Sequence, residues 1–126
     1  LRKAQQALYE FHQKFGSVYN NVPTVPDKKT LQLRVNLIKE EAAEFEEAAN
    51  NQDLIEMADA IADILYVTLG AACALGVDAE ALFNEVHRSN MTKVWADGSV
   101  RKREADGKIL KPPTYSPADI EKVLFG

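Results

Sequence analysis

Apolar residues recur at spacings of three and four along most of this chain, a rhythm that predicts amphipathic helices joined by short polar breaks. A first helix is expected from about Lys3 to Tyr19, with Ala4, Leu8, Phe11, Phe15 and Val18 as its apolar stripe. The run Asn20-Asn21-Val22-Pro23-Thr24-Val25-Pro26-Asp27 breaks the pattern, and Asp27 or Thr30 can cap a second helix from about Lys28 to Ala49. One face of that helix carries Leu31, Val35, Ile38, Ala42, Phe45 and Ala49; another, Leu33, Leu37, Glu40, Glu44 and Glu47, starts apolar and turns acidic. After Asn50-Asn51-Gln52, Asp53 is placed to cap a third helix from about Leu54 to Leu75. So short a connector sets the two helices antiparallel. The third helix has Leu54, Ala58, Ile61, Leu65, Thr68 and Ala72 on one face, interrupted elsewhere by Glu56, Asp59 and Asp63. Gly76 suits its end, and Asp78 opens a fourth helix that runs to about Lys93.

Beyond Trp95 the texture changes. Asp97-Gly98 and Asp106-Gly107 are hairpin-type turn signals on either side of the basic run Arg101-Lys102-Arg103. Lys111-Pro112-Pro113-Thr114-Tyr115 reads as extended, and Ser116-Pro117-Ala118-Asp119 places a cap at Ser116, a proline at the first helical position and an acid in the first turn of a short last helix. No repeat or composition shift divides the chain. The expectation is a single all-α domain over 1–126, a helical bundle at about 3–93 with a hairpin-like appendage at about 94–126.

Composition sharpens this picture at three points. With 126 residues and 46% apolar content, the chain can bury roughly two-thirds of its unfolded surface, so a metal would serve function rather than hold the fold. A lone cysteine, Cys73, forms no internal disulfide and fits a cytoplasmic address. The longest uncharged run, Ile64 to Val77, has 14 residues, shorter than a membrane-crossing helix, and no membrane association is expected. Net charge is −4, which disfavours stable nucleic-acid binding, but its distribution says more. Between Glu40 and His87 there are twelve acids and no Lys or Arg, whereas the remainder holds all 15 basic residues against seven acids. An acidic centre with basic flanks suits a cation sandwiched with an anionic ligand.

The acids of the second and third helices carry the candidate chemistry. For an antiparallel pair turning near Asn50, residues whose numbers sum to about 100 lie at one height, which sets Glu44 opposite Glu56 and Glu41 opposite Asp59, with Glu40 and Asp63 about a turn deeper. Carboxylates packed together repel unless neutralised, and hard divalent ions with oxygen ligands are the natural partners. Mg²⁺ fits best, with Mn²⁺ as a substitute, because it accepts a few protein ligands plus waters and substrate phosphates. Thiolate sites are excluded by the single cysteine, and neither His12 nor His87 has a glutamate three residues before it, as a di-iron bundle would need. Glu46, Glu47 and Asp53 read as solvated surface. No Walker loop, dinucleotide glycine pattern, zinc-protease histidine pair or serine elbow is present.

Glu40-Glu41-Ala42-Ala43-Glu44 followed by Glu56-Met57-Ala58-Asp59 resembles the EExxE…ExxD signature of the all-α nucleoside triphosphate pyrophosphohydrolases, the superfamily of the MazG proteins, the dimeric dUTPases and phosphoribosyl-ATP pyrophosphohydrolase. Asp59-Ala60-Ile61-Ala62-Asp63-Ile64-Leu65-Tyr66, the run Glu85-Val86-His87-Arg88-Ser89-Asn90-Met91-Thr92-Lys93 and the Lys111–Pro117 tail resemble its phosphoribosyl-ATP-pyrophosphohydrolase-like branch. The likeness spans about Leu31 to Leu124. It implies metal ligands at Glu41, Glu44, Glu56 and Asp59 and a water-activating carboxylate at Glu40. The aspartate of ExxD often precedes an apolar pair, which would select Asp63 instead, but its partner glutamate is then Ala60. The ligand set shifted to Glu56 and Asp59 is the expected one, and Asp63 is the alternative.

The resemblance further implies a cytoplasmic hydrolase of acid anhydrides that releases nucleoside monophosphate and pyrophosphate and clears unwanted nucleotides, a dUTP- or dCTP-like substrate among them. His87, Asn90 and Lys93 would present donors to the substrate, and Tyr66 and Trp95 are open to either base stacking or packing. The family's homodimers and homotetramers fit a short chain whose helices have apolar stripes on several sides. A catalytically silent nucleotide- or metal-binding regulator, a phosphoribosyl-ATP-type hydrolase and a plain helical interaction module are the rival readings.

Overall fold

A computed structural model describes the whole chain, Leu1–Gly126, as five helices and no extended strand. They are α1 (Arg2–Phe15), α2 (Lys28–Asn50), α3 (Leu54–Leu75), α4 (Ala79–Met91) and α5 (Ile120–Phe125). Two compact units divide the chain, Leu1–Ala79 and Glu80–Gly126.

In the first unit α2 and α3 form the principal pair, and α1 packs on α3. The caps are those the sequence offers: Asp27 accepts from the Thr30 amide at 3.0 Å, and Asp53 from the Glu56 amide at 3.1 Å. Each supplies one of the bonds a helix start leaves open. α1 ends earlier than its apolar rhythm suggests, because Gly16 adopts the left-handed conformation, φ 71°, that closes the helix. The following segment covers the far end of α3. Asn20 donates to the carbonyls of Cys73 and Ala74, and Thr24 to that of Leu75, satisfying carbonyls that have no partner within the helix.

The buried faces differ from the expected apolar stripes. α1 buries Gln5, Leu8 and His12, while Phe11, Phe15 and Val18 are exposed. α2 buries Thr30, Arg34 and Ala48, and α3 buries Ala60, Leu69, Gly70, Cys73 and Ala74. Leu54, Ile61 and Leu65, which share the apolar face read along the third helix, are each more than half exposed. Small residues at the crossings, Ala48, Ala60, Gly70 and Ala74, let these helices approach closely and leave the larger side chains facing outward. The polar groups drawn inside are bonded at α1: Gln5 donates to the Val77 carbonyl at 2.7 Å and accepts from the Ala79 amide at 2.9 Å.

α3 also exceeds its uncharged run. By length and mean hydropathy, 1.6 over its most apolar window, it would suffice to cross a bilayer, although it carries Glu56, Asp59 and Asp63.

In the second unit the tail folds against α4. Arg88 makes two 2.8 Å bonds to Glu85, then reaches the Ser116 hydroxyl at 3.0 Å and the Pro117 carbonyl at 3.1 Å. Glu85 also accepts from the Asp119 amide, and these partners hold its carboxyl down at about 2. Ser116 is thereby occupied, so the expected cap moves: Asp119, not Ser116, accepts from the Lys122 amide and starts α5. The two Asp-Gly turns form as expected. Lys102 and Ile109 make an antiparallel bridge, flanked by the bonds Arg103 N–H to Lys108 and Leu110 N–H to Arg101.

Candidate active site

α2 and α3 present their acids toward one another because Asp53 fixes the start of α3 immediately after a tight turn. Gln52 takes φ 53° there, and the Asp53 amide returns to the Ala48 carbonyl at 3.0 Å. The turn sets the register. The residues that bound it, Asn50 and Leu54, sum to 104 rather than 100, so Glu41 stands level with Asp63 and Glu44 with Ala60. That offset of four residues is one helical turn.

The consequence is a group of three carboxylates. Glu41, Glu44 and Asp63 each bring one oxygen within 4.8 Å of the others. Glu56 and Asp59 fall outside this group and instead line an adjoining cleft of about 440 Å³ with Glu44, Glu47 and Asp53. Ala48 and Ala60, both nearly fully buried, also line this cleft. Glu40 is exposed beside Glu41. Glu47 and Asp53, read from sequence as plain surface, therefore belong to the cleft wall, Asp53 while also capping α3.

Electrostatic strain in this group falls on Glu41. Glu41 is pushed up to about 7, first by sharing a hydrogen bond with Glu44, then by burial, and then by the charges of Glu44, Asp63 and Glu40. Its Oε2 is buried and has no hydrogen-bond partner. An unpartnered buried oxygen beside two others is a donor set suited to a hard divalent ion.

His87, Asn90 and Lys93 lie in the second unit. His87 is exposed and stacked on Phe83 at a ring separation of 6.5 Å, Asn90 is exposed, and Lys93 follows the end of α4 with its amide bonded to the Asn90 carbonyl. Trp95 packs under Arg101, whose guanidinium sits 4.0 Å from the ring centre. Tyr66, in the first unit, meets Phe11 edge to face at 5.7 Å.

Arg34 and His12 are buried in the first unit, and Gly70 lies against both. The signal in the sequence was an arginine between Leu31 and Leu37 on an otherwise apolar face of α2, with a glycine inside α3.

Comparison with known proteins settles the lineage. Residues 8–90 match the profile of the family described as phosphoribosyl-ATP pyrophosphohydrolase, a span that includes every carboxylate of the cluster and the cleft. The chain belongs to the phosphoribosyl-ATP pyrophosphohydrolase family. This places it among the all-α NTP pyrophosphohydrolases that its acidic motifs resemble. A curated relative, the uncharacterized protein L479 of Acanthamoeba polyphaga mimivirus, is 37% identical over 79 residues, 60% of this chain. The chain spans 32% of that relative's length. A crystal structure from Exiguobacterium sp. 255-15, described as a candidate NTP pyrophosphohydrolase, superposes with TM-score 0.51 at 24% identity, covering 94% of this chain and 90% of its own. That likeness concerns the fold. Family membership supports a pyrophosphohydrolase-type activity, the hydrolysis of an acid anhydride.

Proposed function

We propose that this chain is a Mg²⁺-dependent nucleoside triphosphate pyrophosphohydrolase that releases nucleoside monophosphate and pyrophosphate. The observation that carries the reading is the Glu41–Glu44–Asp63 group, with its unpartnered oxygen, on the helix pair of this family. These three residues would hold the ion, and Glu56 and Asp59 would face the waters and phosphates in the cleft. When bound, the ion supplies positive charge that offsets the charge developing on the phosphoryl oxygens. Glu40, exposed at the edge of the group, accepts a proton from the attacking water. The water oxygen bonds to the α-phosphorus, the bridging bond to the β-phosphate breaks, and pyrophosphate leaves.

His87, Asn90 and Lys93 keep their role as candidate donors to the substrate. The setting is cytoplasmic and the biological task is removal of unwanted nucleotides. The functional particle is a homodimer or homotetramer, which the exposed faces of Ile61, Leu65 and Phe15 support.

Pyrophosphate release from a panel of canonical and modified nucleoside triphosphates, with Mg²⁺, with Mn²⁺ and with chelator, tests the reading. Metal-dependent release with monophosphate as co-product is the expected result. Metal binding without release from any nucleotide would move the assignment to a silent binder.

A further inference from the structure

Beside the carboxylates lies a second cavity, of about 270 Å³, between α1, α2 and α3. Its walls are apolar, with Phe11, Leu33, Leu37 and Tyr66 prominent, yet Arg34 and His12 also line it. Arg34 is only 8% exposed, forms no ion pair, and its Nε is buried without a hydrogen-bond partner. An unpaired guanidinium in apolar surroundings is costly, and an anion or a pair of acceptors brought to it would offset that cost.

The surroundings hold this group in place. A Cβ at position 70 would lie 2.8 Å from Arg34 Nη1 and 3.3 Å from His12 Nε2, so glycine there leaves the room that the guanidinium occupies against α3. His12 Nδ1 is 2.9 Å from the Val18 carbonyl, which can only accept, so Nδ1 carries the proton. Nε2 of the neutral ring is then an acceptor facing the same space, and no carboxylate competes for Arg34.

The cavity adjoins the proposed reaction site along both helices. Leu37 is four residues before Glu41 and Tyr66 three after Asp63, so its walls begin about one turn, ~5.4 Å, from the carboxylates. A nucleotide with its phosphates at the acids can lay its base in this cavity beside the Phe11–Tyr66 pair, against the Arg34 fork.

Resting on the function proposed above, we infer that Arg34 reads the base. The substrate class is a nucleotide whose base offers two adjacent acceptors on one edge, one of them a ring carbonyl, as cytosine does with O2 and N3 or guanine with O6 and N7. A planar guanidinium meets such an edge with two parallel bonds. Adenine sets its amino group beside N1 and N7, donor against donor, and its N3 stands without a second acceptor on its edge. Uracil and thymine interpose an N–H between their carbonyls and accept only one bond.

Calorimetric titration of non-hydrolysable α,β-methylene triphosphates of cytosine, guanine, uracil and adenine deoxynucleosides, with Mg²⁺, tests this, with tripolyphosphate as a base-free arm. Cytosine or guanine should bind at least about tenfold tighter than adenine. Arg34→Met should remove that ratio while raising the melting temperature, since it takes away an unpaired buried charge. Arg34→Lys, which keeps the charge and loses the fork, should lose the ratio as well. Equal affinity for all four bases, or an unchanged ratio in both variants, overturns the inference. So does an equal loss for all bases and for tripolyphosphate, which would make Arg34 a phosphate ligand. Pyrophosphate release measured alongside separates the two readings. Release without base preference sinks this inference alone, and preference without release sinks the reaction alone.

Discussion

Replacing Asp63 by Asn, and separately Asp59 by Asn, discriminates the two metal placements on a single readout. Asp63 brings one of the three oxygens that converge within 4.8 Å, whereas Asp59 lines the cleft beyond them. Suppose the wild-type chain is heated with Mg²⁺ at ten times its dissociation constant. Binding to the folded state alone then adds about 1.4 kcal/mol. For a chain of this size that is a rise of roughly 5 °C in melting temperature. If loss of the Asp63 carboxylate weakens binding by about 100-fold, the same Mg²⁺ contributes under about 0.1 kcal/mol and the rise vanishes. Asp59→Asn should retain most of it, Glu44→Gln should behave like Asp63→Asn, and Glu47→Gln should be nearly silent. The assay is differential scanning fluorimetry across a Mg²⁺ series, with calorimetric titration for the constants. A full Mg²⁺ response in Asp63→Asn together with its loss in Asp59→Asn would refute the register argument and return the ligands to Glu56 and Asp59.

Three further outcomes follow from particular contacts. Glu41 is raised from an ordinary value near 4.5 to about 7, so the folded metal-free protein binds the extra proton. Its contribution is fully present below about pH 4.5 and is lost as pH rises to 7. Melting temperature in chelator should show that loss, Glu41→Gln should lack it, and Mg²⁺ affinity should climb through the same window as the proton is displaced. Leu65, 53% exposed on α3, should lie in the subunit interface: Leu65→Asp should shift light-scattering mass toward the monomer, and a monomeric wild type at micromolar concentration would contradict this. Gly76→Ala should cost at least about 2 kcal/mol by chemical denaturation, since φ is +68° and a Cβ would fall 2.2 Å from the Val22 carbonyl oxygen.

The helices were legible because their signals are local. Asp27 and Asp53 cap where the sequence places them, and α3 runs over the expected Leu54–Leu75. The C-terminal cap was misplaced because the competition for Ser116 comes from Arg88, 28 residues earlier, which no local pattern reports. The buried faces were harder still. Periodicity identifies an apolar stripe without naming what covers it, and α1 turns Gln5 and His12 inward while Phe11 and Phe15 face out. Such an inversion is stable only if the inward polar groups are bonded, as Gln5 is to Val77 and Ala79 and His12 to Val18.

The same contrast separates the candidate site into readable and unreadable parts. That acids of α2 and α3 would converge was evident from composition, since no basic residue interrupts Glu40 to His87. Which acids meet depended on the turn between the helices. With its centre near residue 50, Glu41 faces Asp59; with Asn50 and Leu54 as its observed bounds, Glu41 faces Asp63. One turn of register also brings Ala60 level with Glu44, so at the height where a fourth carboxylate would close the group there is a methyl, and Glu56 and Asp59 flank it in the cleft. A site with three close carboxylates and two more set back leaves more of a cation's coordination to water and phosphate. Affinity for the bare ion should therefore be modest, and it should rise when the triphosphate is present to supply the missing oxygens.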